Sequence, residues 1–286
     1  MNKVGFIGVG IMGKSMVRNL MKAGFELHIY ARTKSKVEDV IGEGAQFHES
    51  IKDCVQDCDA VITIVGFPQD VEEVYFDEGN ILDSAKEGAY LIDMTTTSPQ
   101  IAEKIYAEGT KRGFHVMDAP VTGGDTGAKA GTLSILVGGE KEDYEACMPL
   151  FEAMGTNINY QGKAGCGQHC KLANQIMIAG TLSGVCEALT YAKEQGLDPE
   201  VFMKSVATGA AGSKQLDTFG PKILKDDYAP GFFMKHFIKD MKLALIEANR
   251  KGLSLDVLSM VLANYEELEQ EGYGDLGTQA LIKYYE

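Results

Sequence analysis

Two domains are expected from this chain: an α/β domain built on a parallel sheet, then an all-α domain, with one long helix joining them. Three features carry that expectation. Residues 1–163 alternate short apolar runs with helical spacing, as strands buried on both faces and their crossover helices do. After about residue 163 no β-rich run recurs. And 286 residues exceed the usual span of one domain.

The elements come in order. "KVGFIGVG" is an apolar strand running into glycines, and "MGKSMVRNLMKAG" is a helix that stops at Gly24, a C-capping residue type. "ELHIYAR" is a second strand. "SKVEDVIGEGA" is a second helix with Ser35 as its expected N-cap. "DAVITIVG", "AYLIDMT", "HVMDAPV" and "GTLSILVGG" supply four more strands. From about 165 to 194 the spacing predicts one helix, on the order of 45 Å long. Shorter helices fill the rest of 164–286. Small residues at Ala173, Gly180, Gly184 and Ala188 on the long helix would let another backbone approach closely.

Gly8, Gly10 and Gly13 form G-x-G-x-x-G. They come after a strand and open a helix, the context in which this spacing binds a dinucleotide. The glycines permit a tight turn, approach of the pyrophosphate, and close helix–strand packing, while the helix N-terminus faces the anion. The first domain is thus expected to be Rossmann-type. Ile11 and Met12 within the motif, and Val65 at the end of the third strand, fall beside the same ligand. The second strand ends in Ala31-Arg32-Thr33, with Lys36 beyond. An NAD site places a carboxylate there for the ribose 2′-hydroxyl. Here no carboxylate is available, and a guanidinium and a hydroxyl stand instead, which suits the 2′-phosphate of NADP.

Ligands of open parallel sheets bind beyond the C-terminal strand ends. Thr122-Gly123-Gly124 lies just past one such strand and offers bare backbone N–H groups beside a hydroxyl, which suits a carboxylate or a developing oxyanion. In "GCGQHCKLANQ", Lys171, Asn174 and Gln175 stand at i, i+3 and i+4 on one helix face. A partly desolvated lysine at a domain junction can serve as general acid in carbonyl reduction. Spacing alone leaves equally open that its ammonium merely reaches past the helix start to water.

Six cysteines are present and none forms C-x-x-C. Cys166, His169 and Cys170 do not share a helix face, and no fourth ligand accompanies them, so no metal is expected. Cys54 and Cys58 read as one face of a surface helix. The net charge of −14 argues against a nucleic-acid partner. No run of eighteen apolar residues appears, so no membrane span is expected. Glycines interrupt the N-terminus where a signal peptide would be apolar, which places the protein in the cytoplasm.

Five motifs in order carry a resemblance that covers essentially the whole chain. "GFIGVGIMGKSMVRNLMKAG", "DMTTTSP", "DAPVTGGDTGAKAGTLSILVGG", "GCGQHCKLANQ" and "FIKDMKLAL" together resemble the β-hydroxyacid dehydrogenases. That group contains 3-hydroxyisobutyrate dehydrogenase, tartronate semialdehyde reductase and the glyoxylate/succinic semialdehyde reductases. The resemblance implies that Lys171 is the acid/base; Asn174, on the same helix face, could orient that lysine or bind substrate. It implies that Thr122, Gly123, Gly124, Asn174 and Gln175 bind substrate. Thr96 and Lys239 would contact the cofactor, with Asp240 holding that lysine or its helix in place. Thr122 stands where most members have Ser, and Gln175 where many have a second Asn. The implied reaction interconverts a small hydroxyacid and its semialdehyde with NADP, in a homodimer or homotetramer. An imine reductase, a phosphogluconate-type dehydrogenase and a non-catalytic dinucleotide binder share the architecture. The presence of Lys171, the size of the helical domain and the lack of an added basic domain argue against each in turn.

Overall fold

The computed structural model describes every residue, Met1–Glu286. Nine strands are present: β1 Lys3–Ile7, β2 Glu26–Tyr30, β3 Gln46–Phe47, β4 Ala60–Thr63, β5 Tyr90–Asp93, β6 His115–Asp118, β7 Val121–Thr122, β8 Leu133–Gly138 and β9 Gly155–Gly162. The first helices are α1 Ile11–Lys22, α2 Glu38–Gly42, α3 Ile51–Val55, α4 Pro68–Phe76, α5 Ile81–Ser84, α6 Pro99–Lys111, α7 Gly124–Ala130, α8 Lys141–Ala146 and α9 Met148–Met154. Then come α10 Cys166–Glu194, α11 Pro199–Val206, α12 Lys214–Ile223, α13 Met234–Arg250 and α14 Asp256–Gln270. The chain divides into two compact units, Met1–Lys171 and Leu172–Glu286.

The first unit is one sheet in the order β3-β2-β1-β4-β5-β6-β8-β7, with β9 pairing β8. From β3 to β6 every neighbour is parallel. Alternate residues of a strand face opposite cores: Ala60 and Ile62 join one buried cluster, Val61 the other. That two-sided burial is why these strands are apolar throughout.

The far edge departs from the expected all-parallel sheet. β8 runs antiparallel to β6 and β7. "HVMDAPV" is two strands, divided before Val121 where Pro120 has no N–H to give a ladder. β3, two residues long, and β9, largely polar, are not among the strands the sequence predicts.

Gly24 sits just past the C-cap of α1 at φ +94°, with its N–H donating to Met21 and that of Phe25 to Leu20. Ser35 is not a helix cap. It lies inside a single 3₁₀ turn, Lys34–Lys36, and α2 starts only after Val37. Cys54 and Cys58 do not face solvent. Both are buried, and their thiols donate to the carbonyls of His28 and Cys54. Burial pushes the Cys58 thiol up to about 12.

The second unit packs α11 to α14 around the later turns of α10. Leu182, Cys186 and Leu189 of that helix join Phe237, Met241, Val261 and Tyr265 in one core. Phe237 meets Tyr265 edge to face, with ring centroids 5.4 Å apart. By length and mean hydropathy alone α10 is long and apolar enough to cross a membrane, a property that core helices share. Its buried stripe is that of a core helix.

Candidate functional site

The glycine loop closes between β1 and α1. Gly8 has φ +96°, and a Cβ there would lie 2.1 Å from the Ile64 carbonyl oxygen. A Cβ on Gly13 would lie 2.2 Å from the oxygen of Gly8. Gly10 has open space above it, and no side chain caps the helix it begins. Two glycines are thus required by packing, and the third leaves a cradle that a phosphate can enter. Ile11 is exposed, Met12 half-buried, and Val65 donates its N–H to the Thr95 hydroxyl. These residues fit a dinucleotide.

Ala31, Arg32 and Thr33 lie just past β2, and Lys36 is exposed nearby. The expectation that no carboxylate is available there is corrected. Arg32 Nη2 donates to Asp70 Oδ1 at 2.7 Å and to Glu73 Oε2 at 2.8 Å. Both acids come from α4. The Asp70 hydrogen bond, foremost, raises the Arg32 pKa.

The strand ends β5 and β6 carry two buried carboxylates in register, Asp93 beside Asp118. Asp93 Oδ1 accepts from the Thr63 hydroxyl and the Thr95 N–H, at 2.8 and 3.1 Å. Its Oδ2 has no hydrogen-bond partner in the protein. Burial is the main cause that pushes this carboxyl up to about 6. The folded chain therefore holds the proton more tightly than the unfolded one. The resulting stability is full below the ordinary carboxyl range and is lost as pH rises through about 6. Asp93→Asn is expected to raise the thermal midpoint at about pH 8 by an amount worth roughly 1–3 kcal/mol. That gain should disappear near pH 4, as parallel melts of both proteins would show.

Asp118 fixes the start of α10. Its Oδ1 accepts from Gly165 N at 2.7 Å and its Oδ2 from Gln168 N at 2.8 Å. The Gln168 side chain, fully buried, accepts from Thr97 N at 3.0 Å and donates to the Thr95 carbonyl at 2.7 Å. The glycines of "GCG" have separate reasons. Gly165 adopts φ +86°, and a Cβ on Gly167 would lie 2.3 Å from the Leu136 carbonyl oxygen. One turn of helix is thus tied to the end of β6 and to the loop that leaves β5, and Lys171, 7% exposed, stands one turn beyond Gln168. Sequence reading missed Gln168, Asp118 and Asp93. The one signal for them was their position at strand ends or inside the lysine motif.

Thr122 ends β7. Gly123, at φ +130°, and Gly124, at φ +65°, turn the chain into α7, and space is open where a Gly124 side chain would be. Thr96 is half-buried in the loop after β5.

The second unit contains the remaining candidates, and they form one chain of contacts. Asn174 Nδ2 donates to Gln175 Oε1 at 2.8 Å, and Gln175 Nε2 donates to Asp240 Oδ2 at 2.6 Å. Asp240, fully buried, holds Lys239 Nζ at 2.9 Å through Oδ1. No group of three or more His, Cys, Asp or Glu gathers to hold a metal ion.

Residues 3–162 match the family model described as the NAD-binding domain of 6-phosphogluconate dehydrogenase. Residues 165–285 match that described as "NAD-binding of NADP-dependent 3-hydroxyisobutyrate dehydrogenase". The chain belongs to the β-hydroxyacid dehydrogenase family. Within this family it is 50% identical to an uncharacterized oxidoreductase, YkwC, of Bacillus subtilis, over 98% of this chain and 97% of that one. It is 44% identical to a probable 3-hydroxyisobutyrate dehydrogenase-like protein of Arabidopsis thaliana, over 98% and 84%. A solved structure of 3-hydroxyisobutyrate dehydrogenase from Mycobacterium tuberculosis, with L-serine, superposes at TM-score 0.90. It is 27% identical and covers 99% of this chain and 98% of that one. The protein is accordingly an NAD(P)-dependent oxidoreductase acting on hydroxyl groups.

Proposed function

We propose that this β-hydroxyacid dehydrogenase interconverts a small β-hydroxyacid and its semialdehyde with NADP, and that Lys171 moves the proton. When bound, the dinucleotide supplies or takes up the hydride at its nicotinamide. Gly8, Gly10, Ile11, Met12 and Gly13 hold its pyrophosphate. Ala31, Arg32, Thr33 and Lys36 receive the adenosine end, and Val65, Thr96 and Lys239 complete the set. Thr122, Gly123, Gly124 and Gln175 bind the substrate's carboxylate and hydroxyl. Lys171 donates a proton from Nζ to the forming alkoxide, or takes it back in oxidation, and Asn174 orients the reacting oxygen. The observation that carries the reading is a buried lysine on a helix start fixed by the carboxylate that ends β6 and by backbone groups of the loop after β5.

The description of the second matching family model supports NADP, and the solved relative holding L-serine supports a short hydroxyacid. We propose further that residues 1–163 serve the nucleotide, that 164–286 serve substrate and self-association as a homodimer or homotetramer, and that the protein works in the cytoplasm. The test is initial rates on glyoxylate and on succinic, tartronate and methylmalonate semialdehydes, with NADPH and NADH in parallel. Turnover of one or more with NADPH is expected. No dinucleotide-dependent turnover on any of them, or on the matching hydroxyacids, would overturn the proposal.

A further inference from the structure

Arg32 is neutralised before any nucleotide reaches it. Its side chain is 60% exposed, and one nitrogen, Nη2, serves both Asp70 and Glu73. The two acids differ in freedom. Asp70 stands in the first turn of α4, where its second oxygen, Oδ2, accepts from Phe67 N at 2.9 Å. That cap holds it in place, and its side chain is only 20% exposed. Glu73 is one turn on, 50% exposed, and its carboxylate is held by the arginine alone. The nearest other cation along the chain, Lys34, leans toward Glu49 at 3.4 Å.

One guanidinium between two carboxylates leaves a local charge of −1. A phosphate monoester adds roughly −1.5 to −2 at neutral pH. The phosphate thus meets a net like charge and must share or take the arginine from its partners. Glu73 can swing into solvent, whereas Asp70 cannot leave without uncapping α4. A ribose 2′-hydroxyl carries no charge and meets no such repulsion.

We infer that Asp70 and Glu73 set the dinucleotide preference of this enzyme by competing with the 2′-phosphate for Arg32. They lower affinity for NADP and leave NAD unaffected, so the chain discriminates less than Arg32 alone would. Asp70 contributes the larger part. The inference rests on the reading that Arg32 receives that phosphate.

Dissociation constants for NADPH and NADH test it without a substrate. They can be read from the nicotinamide's own emission, since the chain has no Trp. The variants are Asp70→Asn, Glu73→Gln, the double variant and Arg32→Ala, in the full chain. Asparagine still accepts from Phe67 N, so the thermal midpoint of Asp70→Asn should stay near that of the wild type. Asp70→Asn is expected to tighten NADPH about two- to fivefold, as loss of a surface charge pair allows. The double variant should gain more. NADH should change by less than about twofold, and the NADPH gain should shrink at high salt. An unchanged or lower NADPH-to-NADH preference in the double variant overturns the inference. Arg32→Ala separates the premises. If it weakens NADPH while the acid variants leave the preference unchanged, only the competition fails. If it leaves NADPH affinity unchanged, the phosphate reading falls and the competition with it. Should Asp70→Asn fail to fold, Glu73→Gln on the exposed face decides alone.

Discussion

Lys171→Ala is expected to lower kcat by about a hundred- to ten-thousand-fold, the range of a positioned proton donor. NADPH affinity should stay within about threefold of wild type, because the glycine loop and Arg32 lie on other elements. The substitution removes a side chain that is only 7% exposed, so a melt must accompany the kinetics. Lys171→Arg separates charge from chemistry. Arginine keeps the positive charge but does not give up its proton in proteins. If Lys171 moves the proton, the arginine variant stays nearly as slow as alanine. If the lysine acts only as a fixed charge, arginine restores most of the rate. A wild-type rate in Lys171→Ala would remove the lysine from the mechanism.

Gln168→Leu should cost about 2–6 kcal/mol of stability. It leaves the Thr97 N–H and the Thr95 carbonyl without partners in a fully buried place, at roughly 1–3 kcal/mol each. Gln168→Glu is the sharper variant. One oxygen of the new carboxyl still accepts from Thr97 N, but the other then faces the Thr95 carbonyl oxygen, 2.7 Å from the present amide nitrogen. Only the protonated acid can donate to that carbonyl. The introduced carboxyl is therefore held above its ordinary value, and its stability is present at low pH and lost as pH rises. The variant should approach the wild-type melting temperature near pH 5 and fall below it near pH 8. A Gln168→Glu protein as stable as wild type at both pH values would show that the amide is not a required link between α10 and the loop after β5.

What the sequence made legible is what lies within a few residues along the chain. The oxygen that excludes a side chain at Gly13 belongs to Gly8, inside the same motif, and Gly24 ends the helix it adjoins. Hidden partners lie far apart in sequence. Arg32 meets acids 38 and 41 residues on, and Gln168 reaches back 71 and 73 residues. No local spacing encodes either pairing. β9 escaped because "GTNINYQG" runs along the sheet edge with only Gly155 buried, so it lacks the apolar run that marked its neighbours. Thr122, Gly123 and Gly124 were found because ligands of such sheets sit against the loops beyond the strand ends. That criterion stopped short at Asp93 and Asp118, which are the last residues of strands rather than the first of loops.

The placement of the thiols has a practical consequence. Cys54, Cys58, Cys147 and Cys186 are buried, while Cys166 and Cys170 are half-buried at the opening of α10. A maleimide dye reacts with accessible thiolate, and burial suppresses both access and ionisation at the four interior positions. The native chain is thus expected to take up dye first at Cys166 and Cys170, more slowly at Cys170 because burial raises that thiol as well. Uptake of dye rising from two equivalents toward six then serves as a clock for global unfolding.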